Sequence, residues 1–390
     1  MPFKSGRHTL QLPGPTNVPD RVLRAMDRPP IDHRGPDFPG LANSCLKGMK
    51  TVFGTKSEVF IFPSSGTGCW EAALVNTLSP GDAILIFDQG FFSSGWQQVA
   101  TRLGLEVHML PGDWRRGADA EKLHAKLSED RDHVYKAVIA IHNETSTGVT
   151  SDIAAIGDVL RDTGHPALLM VDSVSSLACV EYRHDDWRVD VTVSGSQKGL
   201  MLPPGLGFTA VSEGALAATA SAKLPRSYWD WQQMLTFNDN GFFPYTPATN
   251  MLFGLREALA MFAEEGWPNV FKRHQRLSEA TRRAVEAWGL EVYATHPEER
   301  SRTVTAVCMP DGVSVHDFRR TVLDRFNMSL GGGLGGLKDS VFRIGHMGYL
   351  NEIMLAGALC GVEMGLRCLD VPLKDAGVTA ALSYLTEPDE

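Results

Sequence analysis

Residues 189–205 read VDVTVSGSQKGLMLPPG, and this stretch decides the fold. The β-branched residues at its start, Val189 to Val193, predict a short buried strand. The prolines and glycines at its end are incompatible with a regular helix. Lys198 therefore follows a strand end, where open α/β sheets bind their ligands. A lysine in that place is a candidate for forming a Schiff base with an aldehyde.

Upstream of this stretch, predicted strands and helices alternate regularly. The predicted strands are 59–62, 83–87, 105–110, 137–141 and 167–171, and the predicted helices are 67–78, 95–103, 121–127 and 153–163. Alternation of this kind is typical of a mostly parallel sheet covered by helices on both faces. The sequence therefore predicts an α/β fold.

The length of 390 residues favours more than one domain. Residues 1–20 are rich in proline and glycine toward their end and predict an extended arm. Residues 21–265 carry the alternating pattern and predict the large domain, although 224–250 show little periodicity. Apolar residues recur at helical spacing after Asn250 and predict a helix that links two domains. Residues 266–390, with predicted strands at 304–309 and 341–344, form a smaller C-terminal α/β domain.

Composition narrows the class of protein. The net charge is -9, and a basic patch for nucleic acid or for an anionic membrane surface is not expected. The sequence has no run of about 18 apolar residues that could span a bilayer. The six cysteines are scattered without metal-site or disulfide spacing, which favours free thiols and no metal. We expect a soluble, cytoplasmic protein.

Two predicted strand ends carry further candidate site residues. Asp172 ends a buried strand, where a carboxylate needs a cation such as a protonated ring nitrogen, unless it only caps the next turn. Ser65, Gly66 and Thr67 lie between a strand and a helix. Free N–H groups at a helix start, with hydroxyls and close-approaching glycine, suit a phosphate, although such residues also cap helices without a ligand.

Three more side chains have a functional and a structural interpretation. Thr145 lies in a Ser/Thr turn after a strand, and its hydroxyl could bond a ring substituent or only the turn. Trp96 could stack on a flat heterocycle or simply pack in the core. Arg343 interrupts an apolar strand, and its partner is either a substrate carboxylate or an internal acid.

Residues 331–336 read GGGLGG and satisfy the dinucleotide pattern G-x-G-x-x-G. That pattern binds a dinucleotide when it follows a strand and opens a helix. Here it follows no predicted strand and leads into the strand near Val341. We expect a flexible loop near the active site instead.

The chain resembles the class V pyridoxal-phosphate aminotransferases of fold type I over nearly its whole length. The resemblance is carried in order by PGPTNVP (13–19), SGTG (65–68), HNET (142–145), VDSVSS (171–176), GSQK (195–198), PYTP (244–247) and FRIGH (342–346). It implies a large domain with a mostly parallel seven-stranded sheet, a smaller C-terminal domain and pyridoxal 5'-phosphate as cofactor.

The resemblance also implies a role for each candidate residue. Lys198 would hold the cofactor and move a proton during catalysis, and Asp172 would pair with the ring nitrogen. The other cofactor contacts would be Ser65, Gly66, Thr67 and Gln197 at the phosphate, Thr145 at the phenolic oxygen and substrate, and Trp96 on the ring. Tyr245 and Thr246 would reach across a homodimer with shared active sites, or a higher oligomer. Arg343 would bind the substrate carboxylate, and Asn17 would line the entrance.

The implied reaction uses small amino acids and 2-oxo acids. It transfers the amino group of L-serine to glyoxylate and yields hydroxypyruvate and glycine by a ping-pong mechanism. Alanine or aspartate as donor remains an alternative. A cysteine desulfurase would need a cysteine within 326–338, which has none. A nicotinamide-dependent dehydrogenase and a non-catalytic α/β binding protein are more distant alternatives.

Overall fold

The computed structural model describes residues 5–388. The strands are β1 (Thr9–Gln11), β2 (Glu58–Ser64), β3 (Ala83–Phe87), β4 (Glu106–Leu110), β5 (Tyr135–Ile141), β6 (Asn143–Glu144), β7 (Val149–Thr150), β8 (Leu168–Asp172), β9 (Val191–Gly195), β10 (Gly205–Val211), β11 (Val304–Cys308), β12 (Met328–Gly332) and β13 (Val341–Gly345). The helices are α1 (Asp20–Met26), α2 (Phe38–Phe53), α3 (Gly66–Thr77), α4 (Phe91–Arg102), α5 (Ala120–Glu129), α6 (Ile153–Thr163), α7 (Glu213–Ala218), α8 (Trp231–Asn238), α9 (Thr249–Glu265), α10 (Trp267–Ala287), α11 (Val315–Phe326), α12 (Glu352–Cys368) and α13 (Gly377–Leu385).

Seven strands form the central sheet in the order β2-β10-β9-β8-β5-β3-β4. All neighbours pair in parallel except β10, which runs antiparallel to both β2 and β9. The predicted α/β fold with a mostly parallel seven-stranded sheet is confirmed. Strand β10 was not predicted, because it follows Pro203 and Pro204 directly and lies outside the upstream alternation.

Local sequence explains why these elements begin and end where they do. All five residues of β3 are buried, as expected for a central strand covered on both faces. Helix α6 begins after Asp152, whose side chain accepts a hydrogen bond from the Ala155 N–H. It ends at Gly164, where a positive φ of 63° suits glycine.

The second sheet has the order β1-β12-β13-β11. Its edge strand β1 comes from the N-terminal arm and pairs in parallel with β12, with Thr9 opposite Met328. The arm is thus partly a strand of the smaller sheet. Two hydrophobic cores accompany the two sheets, and the change from one to the other falls within α10, between Val270 and Leu277. The predicted boundary at residue 266 stays a prediction.

The structure corrects two expectations about local structure. Residues 331–336 begin inside a strand, since Gly331 and Gly332 are the last two residues of β12. The segment after β12 is a single 3-10 turn, Gly335–Leu337, followed by β13, so the helix that a dinucleotide site requires does not follow. Helix α8 lies inside the stretch 224–250, with Asp230 capping its start and Trp231 buried. Among residues 5–388, no helix is both long and apolar enough to cross a membrane.

Candidate active site

The candidate site lies where the parallel strands β8 and β9 end. Asp172 is the last residue of β8 and pairs in register with Val193 of β9. Lys198 follows the end of β9 by three residues. Because the carboxyl ends of parallel strands share one edge of the sheet, the fold brings the lysine and the acid to the same edge.

Asp172 is buried and accepts three hydrogen bonds. Its Oδ2 accepts from the indole N–H of Trp70 at 2.8 Å and of Trp96 at 3.2 Å, and its Oδ1 accepts from the Val174 N–H at 2.8 Å. Burial raises the pKa of Asp172, while these donors and the charge of Lys198 oppose the rise. The carboxylate is held rigidly, and it still needs a cation to offset the cost of burial. Trp70 was not predicted; its position one turn into α3 was the available signal.

Lys198 is partly buried, and its Nζ donates a hydrogen bond to the main-chain carbonyl of Pro13 at 2.6 Å. Burial and the nearby charge of Arg343 lower the pKa of Lys198 to about 8, against the opposing effect of Asp172. The arm is also fixed to this loop through Thr16, whose N–H donates to Gln197 O and whose hydroxyl donates to Lys198 O, each at 3.1 Å. Pro13 and Thr16 were not predicted as contacts of the lysine.

The start of α3 provides donors for an anion. Ser65 precedes the helix without a side-chain cap, and the N–H groups of the first turn have no acceptor within the helix. A Cβ on Gly195 would lie 3.1 Å from Gln197 Oε1 and 3.3 Å from Gly66 N, so the Gln197 amide and the Gly66 N–H both lie close to Gly195. Gln197 Oε1 is buried and has no hydrogen-bond partner within residues 5–388.

These features fit the phosphate of pyridoxal phosphate. The free N–H groups and the helix dipole favour an anion. A half-turn of the Gln197 amide exchanges the unpaired oxygen for its N–H donors. Ser65 and Thr67 are exposed beside Gly66, so their hydroxyls are accessible to the same anion.

Two aromatic residues of α4 differ in burial. Trp96 is completely buried, and its ring stacks on Trp70 with centroids 5.3 Å apart. It therefore contacts Asp172 from within the core, and its stacking on a cofactor ring stays a prediction. Phe92, one turn earlier, is only partly buried, and its edge meets Trp70 at 6.4 Å. Phe92 was not predicted, and its place in the first turn of α4 was the available signal.

Arg343 is buried in β13 and donates to one main-chain carbonyl of the neighbouring strand β12 and to one in the turn between β6 and β7. Its Nε donates to Gly332 O at 2.7 Å and its Nη1 donates to Thr145 O at 2.9 Å. Burial lowers the pKa of Arg343 to about 10. Among residues 5–388 it makes no ion pair with a carboxylate side chain, although the charge of the buried Glu144 opposes the lowering of its pKa. The arrangement joins Arg343 to the turn that contains Thr145.

Glu144 is a further buried acid that the sequence did not single out. Its Oε1 accepts from the Ser146 N–H at 2.9 Å and hydroxyl at 2.6 Å, and its Oε2 accepts from the Phe92 N–H at 3.1 Å. Burial raises the pKa of Glu144 to about 7. Its carboxylate fixes the first turn of α4 to the turn before β7.

The remaining predicted residues lie at the margin. Asn17 Nδ2 donates to Leu10 O at 3.2 Å and so braces the arm. Tyr245 stacks on Tyr228 at 4.6 Å, and its hydroxyl is buried without a partner in the described chain. Thr246 is exposed. Their predicted reach across a dimer stays a prediction, as does the entrance role of Asn17. No group of three or more potential metal ligands is found among residues 5–388.

Comparisons with known proteins identify the family. The family described as aminotransferase class-V matches residues 10–337. The serine–glyoxylate aminotransferases of Methylorubrum extorquens and Arabidopsis thaliana are 48% and 47% identical, and each alignment covers 98% of this chain and 97% or 96% of the relative. The solved ureidoglycine–glyoxylate aminotransferase of Bacillus subtilis is 28% identical, with a TM-score of 0.91 over 99% of this chain and 100% of that one.

A relative with a different donor also matches. The L-aspartate–glyoxylate aminotransferase of Paracoccus denitrificans is 41% identical, over 97% of this chain and 96% of that protein. The extent of these matches confirms the resemblance carried by the sequence motifs. The chain belongs to the class-V aminotransferase family.

Proposed function

We propose that the protein transfers the amino group of L-serine to glyoxylate, with pyridoxal 5'-phosphate bound through Lys198. The observation that carries the proposal is the convergence of a buried acid, an amine of lowered pKa, a helix start with free N–H groups, and a buried arginine that makes no ion pair with a carboxylate within residues 5–388. The choice of serine is supported by three serine–glyoxylate aminotransferases that are 46–48% identical.

When bound, pyridoxal phosphate supplies an aldehyde for amines and an electron sink for the bond that breaks at the substrate Cα. Lys198 supplies the base. With a pKa of about 8, roughly one tenth of its amines are neutral at pH 7, whereas an ordinary lysine is almost entirely protonated. The neutral amine would take the proton from the substrate Cα and would hold it until the proton is returned during amino transfer.

Asp172 and Arg343 orient the reactants. Asp172 is held by three donors and offsets the positive charge of a protonated ring nitrogen, which keeps the electron sink effective. Arg343 binds the substrate carboxylate, because its planar guanidinium matches a carboxylate and burial strengthens the attraction. Its bond to Thr145 O places the substrate beside that turn.

The arm and a second subunit complete the site in this proposal. Pro13 lies over Lys198 and limits the access of water to the amine. The protein acts as a homodimer in which Tyr245 and Thr246 contact the phosphate of the neighbouring site. The Tyr245 hydroxyl, which has no partner within residues 5–388, supports that role.

Donor specificity and absorption test the proposal together. The purified protein is assayed with glyoxylate and with serine, alanine or aspartate, and its visible spectrum is recorded before and after borohydride reduction. We expect the highest kcat/KM with serine, and a visible band that bleaches on reduction and is missing in Lys198→Ala. A preference for alanine or aspartate would refute the donor and leave the family intact. A colourless preparation with full activity would refute the cofactor.

A further inference from the structure

Three glycines mark the place where the arm crosses the site: Gly331 and Gly345 in the smaller sheet, and Gly14 in the arm itself. A Cβ on Gly345 would overlap the main chain of Leu12, and a Cβ on Gly331 would lie 3.1 Å from Pro13 Cδ. On the opposite side, a Cβ on Gly14 would overlap the side chain of Lys198. The main chain of the arm therefore runs between the smaller sheet and the lysine, in a space where a side chain from any of these glycines would displace it.

The arm is fixed on both sides of this crossing. Before it, β1 pairs with β12, and the Gln11 side-chain amide donates to Gly345 O. After it, Thr16 donates to the main-chain carbonyls of Gln197 and Lys198. The carbonyl of Pro13 therefore has a defined position, set by the smaller sheet on one side and by the lysine loop on the other.

The amine of Lys198 meets this carbonyl directly. The distance from Nζ to Pro13 O is 2.6 Å, which is short for a hydrogen bond from an amine. Among residues 5–388, Lys198 makes no ion pair with a carboxylate side chain, and Asp172 acts on it only through its charge. The main-chain carbonyl is thus the group that orients the amine.

We propose that the Pro13 carbonyl is the positioning acceptor of the Lys198 amine whenever that amine is not bonded to the cofactor. The proposal depends on the proposed role of Lys198. One N–H of the neutral amine donates to Pro13 O, which directs the nitrogen lone pair away from the arm. The lone pair accepts the proton from Cα. The ammonium that forms keeps its bond to Pro13 O until it returns one proton to the reacting carbon.

The test measures the amine itself, in the protein without cofactor. The variant Gly14→Ala places a methyl group against Lys198. The matched control is Gly6→Ala in the same arm, because Gly6 also has a positive φ, 83°, and a Cβ there would have no atom within 4 Å. Competitive acetylation across a pH series, with mass spectrometry of the Lys198 peptide, gives the pKa of the amine.

A carbonyl acceptor favours the charged ammonium, so its loss lowers the pKa of the amine. We expect Gly14→Ala to lower the pKa of Lys198 by about one unit, and Gly6→Ala to leave it unchanged. Gly345→Ala displaces the arm from the opposite face and is expected to lower the same pKa. A pKa that is unchanged or raised in both Gly14→Ala and Gly345→Ala overturns the proposal.

A second measurement separates positioning from general damage. In the cofactor-loaded Gly14→Ala protein, we expect kcat for serine to fall at least tenfold, KM to change less than twofold, and the isotope effect of α-deuterated serine to increase. Equal losses in kcat and in cofactor affinity, without a larger isotope effect, would indicate a structural role and overturn the proposal. If the unmodified protein has its visible band and the pKa of the Lys198 amine is unchanged in both variants, only the positioning role of Pro13 is refuted. If the visible band is missing in the unmodified protein, the proposed function is refuted.

Discussion

The substitution Asp172→Asn separates the charge of this residue from its place in the packing. The carboxylate accepts from two indoles and from one main-chain N–H. Asparagine has the same shape, but one of its two terminal atoms is a donor. Turned either way, its amide nitrogen faces at least one N–H that previously donated to Asp172.

The magnitudes of the two consequences differ. A buried N–H that loses its acceptor costs about 1–3 kcal/mol. Removal of a buried charge acts in the opposite direction, because burial already raises the pKa of Asp172. We therefore expect the free energy of unfolding to change by less than about 3 kcal/mol. The loss of a preorganised charge at the ring nitrogen lowers kcat by about 10²–10³-fold.

The assay is kcat with serine and glyoxylate, together with chemical denaturation of the same preparations. The control is Trp70→Phe, which removes the 2.8 Å indole donor and keeps the carboxylate. Trp70→Phe keeps the carboxylate and two of its three donors, and a lost hydrogen bond of about 1.5 kcal/mol would lower kcat by about tenfold. Asp172→Asn should therefore be much less active than Trp70→Phe at similar stability. If Asp172→Asn keeps kcat within tenfold of the unmodified protein, Asp172 does not act on the ring nitrogen.

Two further predictions concern the substrate and the cofactor ring. Arg343→Lys loses the planar guanidinium that donates to Gly332 O and Thr145 O. In steady-state kinetics we therefore expect KM for serine and glyoxylate to rise about 10–100-fold, with a smaller change in kcat. An unchanged KM would exclude Arg343 as the partner of the substrate carboxylate. Phe92→Leu removes the partly exposed aromatic ring of α4 and is expected to weaken cofactor affinity about 2–10-fold by equilibrium titration. An unchanged cofactor affinity in Phe92→Leu would exclude Phe92 as the ring contact.

The strands, the helices and the ends of the strands could be predicted from the sequence, because they depend on the local spacing of apolar residues. The uninterrupted apolar residues of β3 and of 137–141 in β5, and the capped start of α6, specify the elements on their own. Lys198 and Asp172 follow predicted strands, and parallel strands place their ends along one edge. The α/β fold and the edge of the sheet where Asp172 and Lys198 lie therefore followed from the sequence.

The contacts of these residues depended on tertiary structure. Pro13 meets Lys198 across 185 positions of sequence, and Thr145 meets Arg343 across 198. Local periodicity carries no information about such pairs. The same holds for Trp70 and Trp96, which converge on Asp172 from two different helices.

The sequence by itself determined the class of fold, the edge of the sheet that carries the chemistry and the residue types available there. Only the tertiary structure decided which groups surround the lysine amine and the acid. The physical reason is that strands and helices form from the pattern of neighbouring residues. The burial and the hydrogen bonds that set the pKa values of Lys198 and Asp172 come instead from segments that are far apart in the chain.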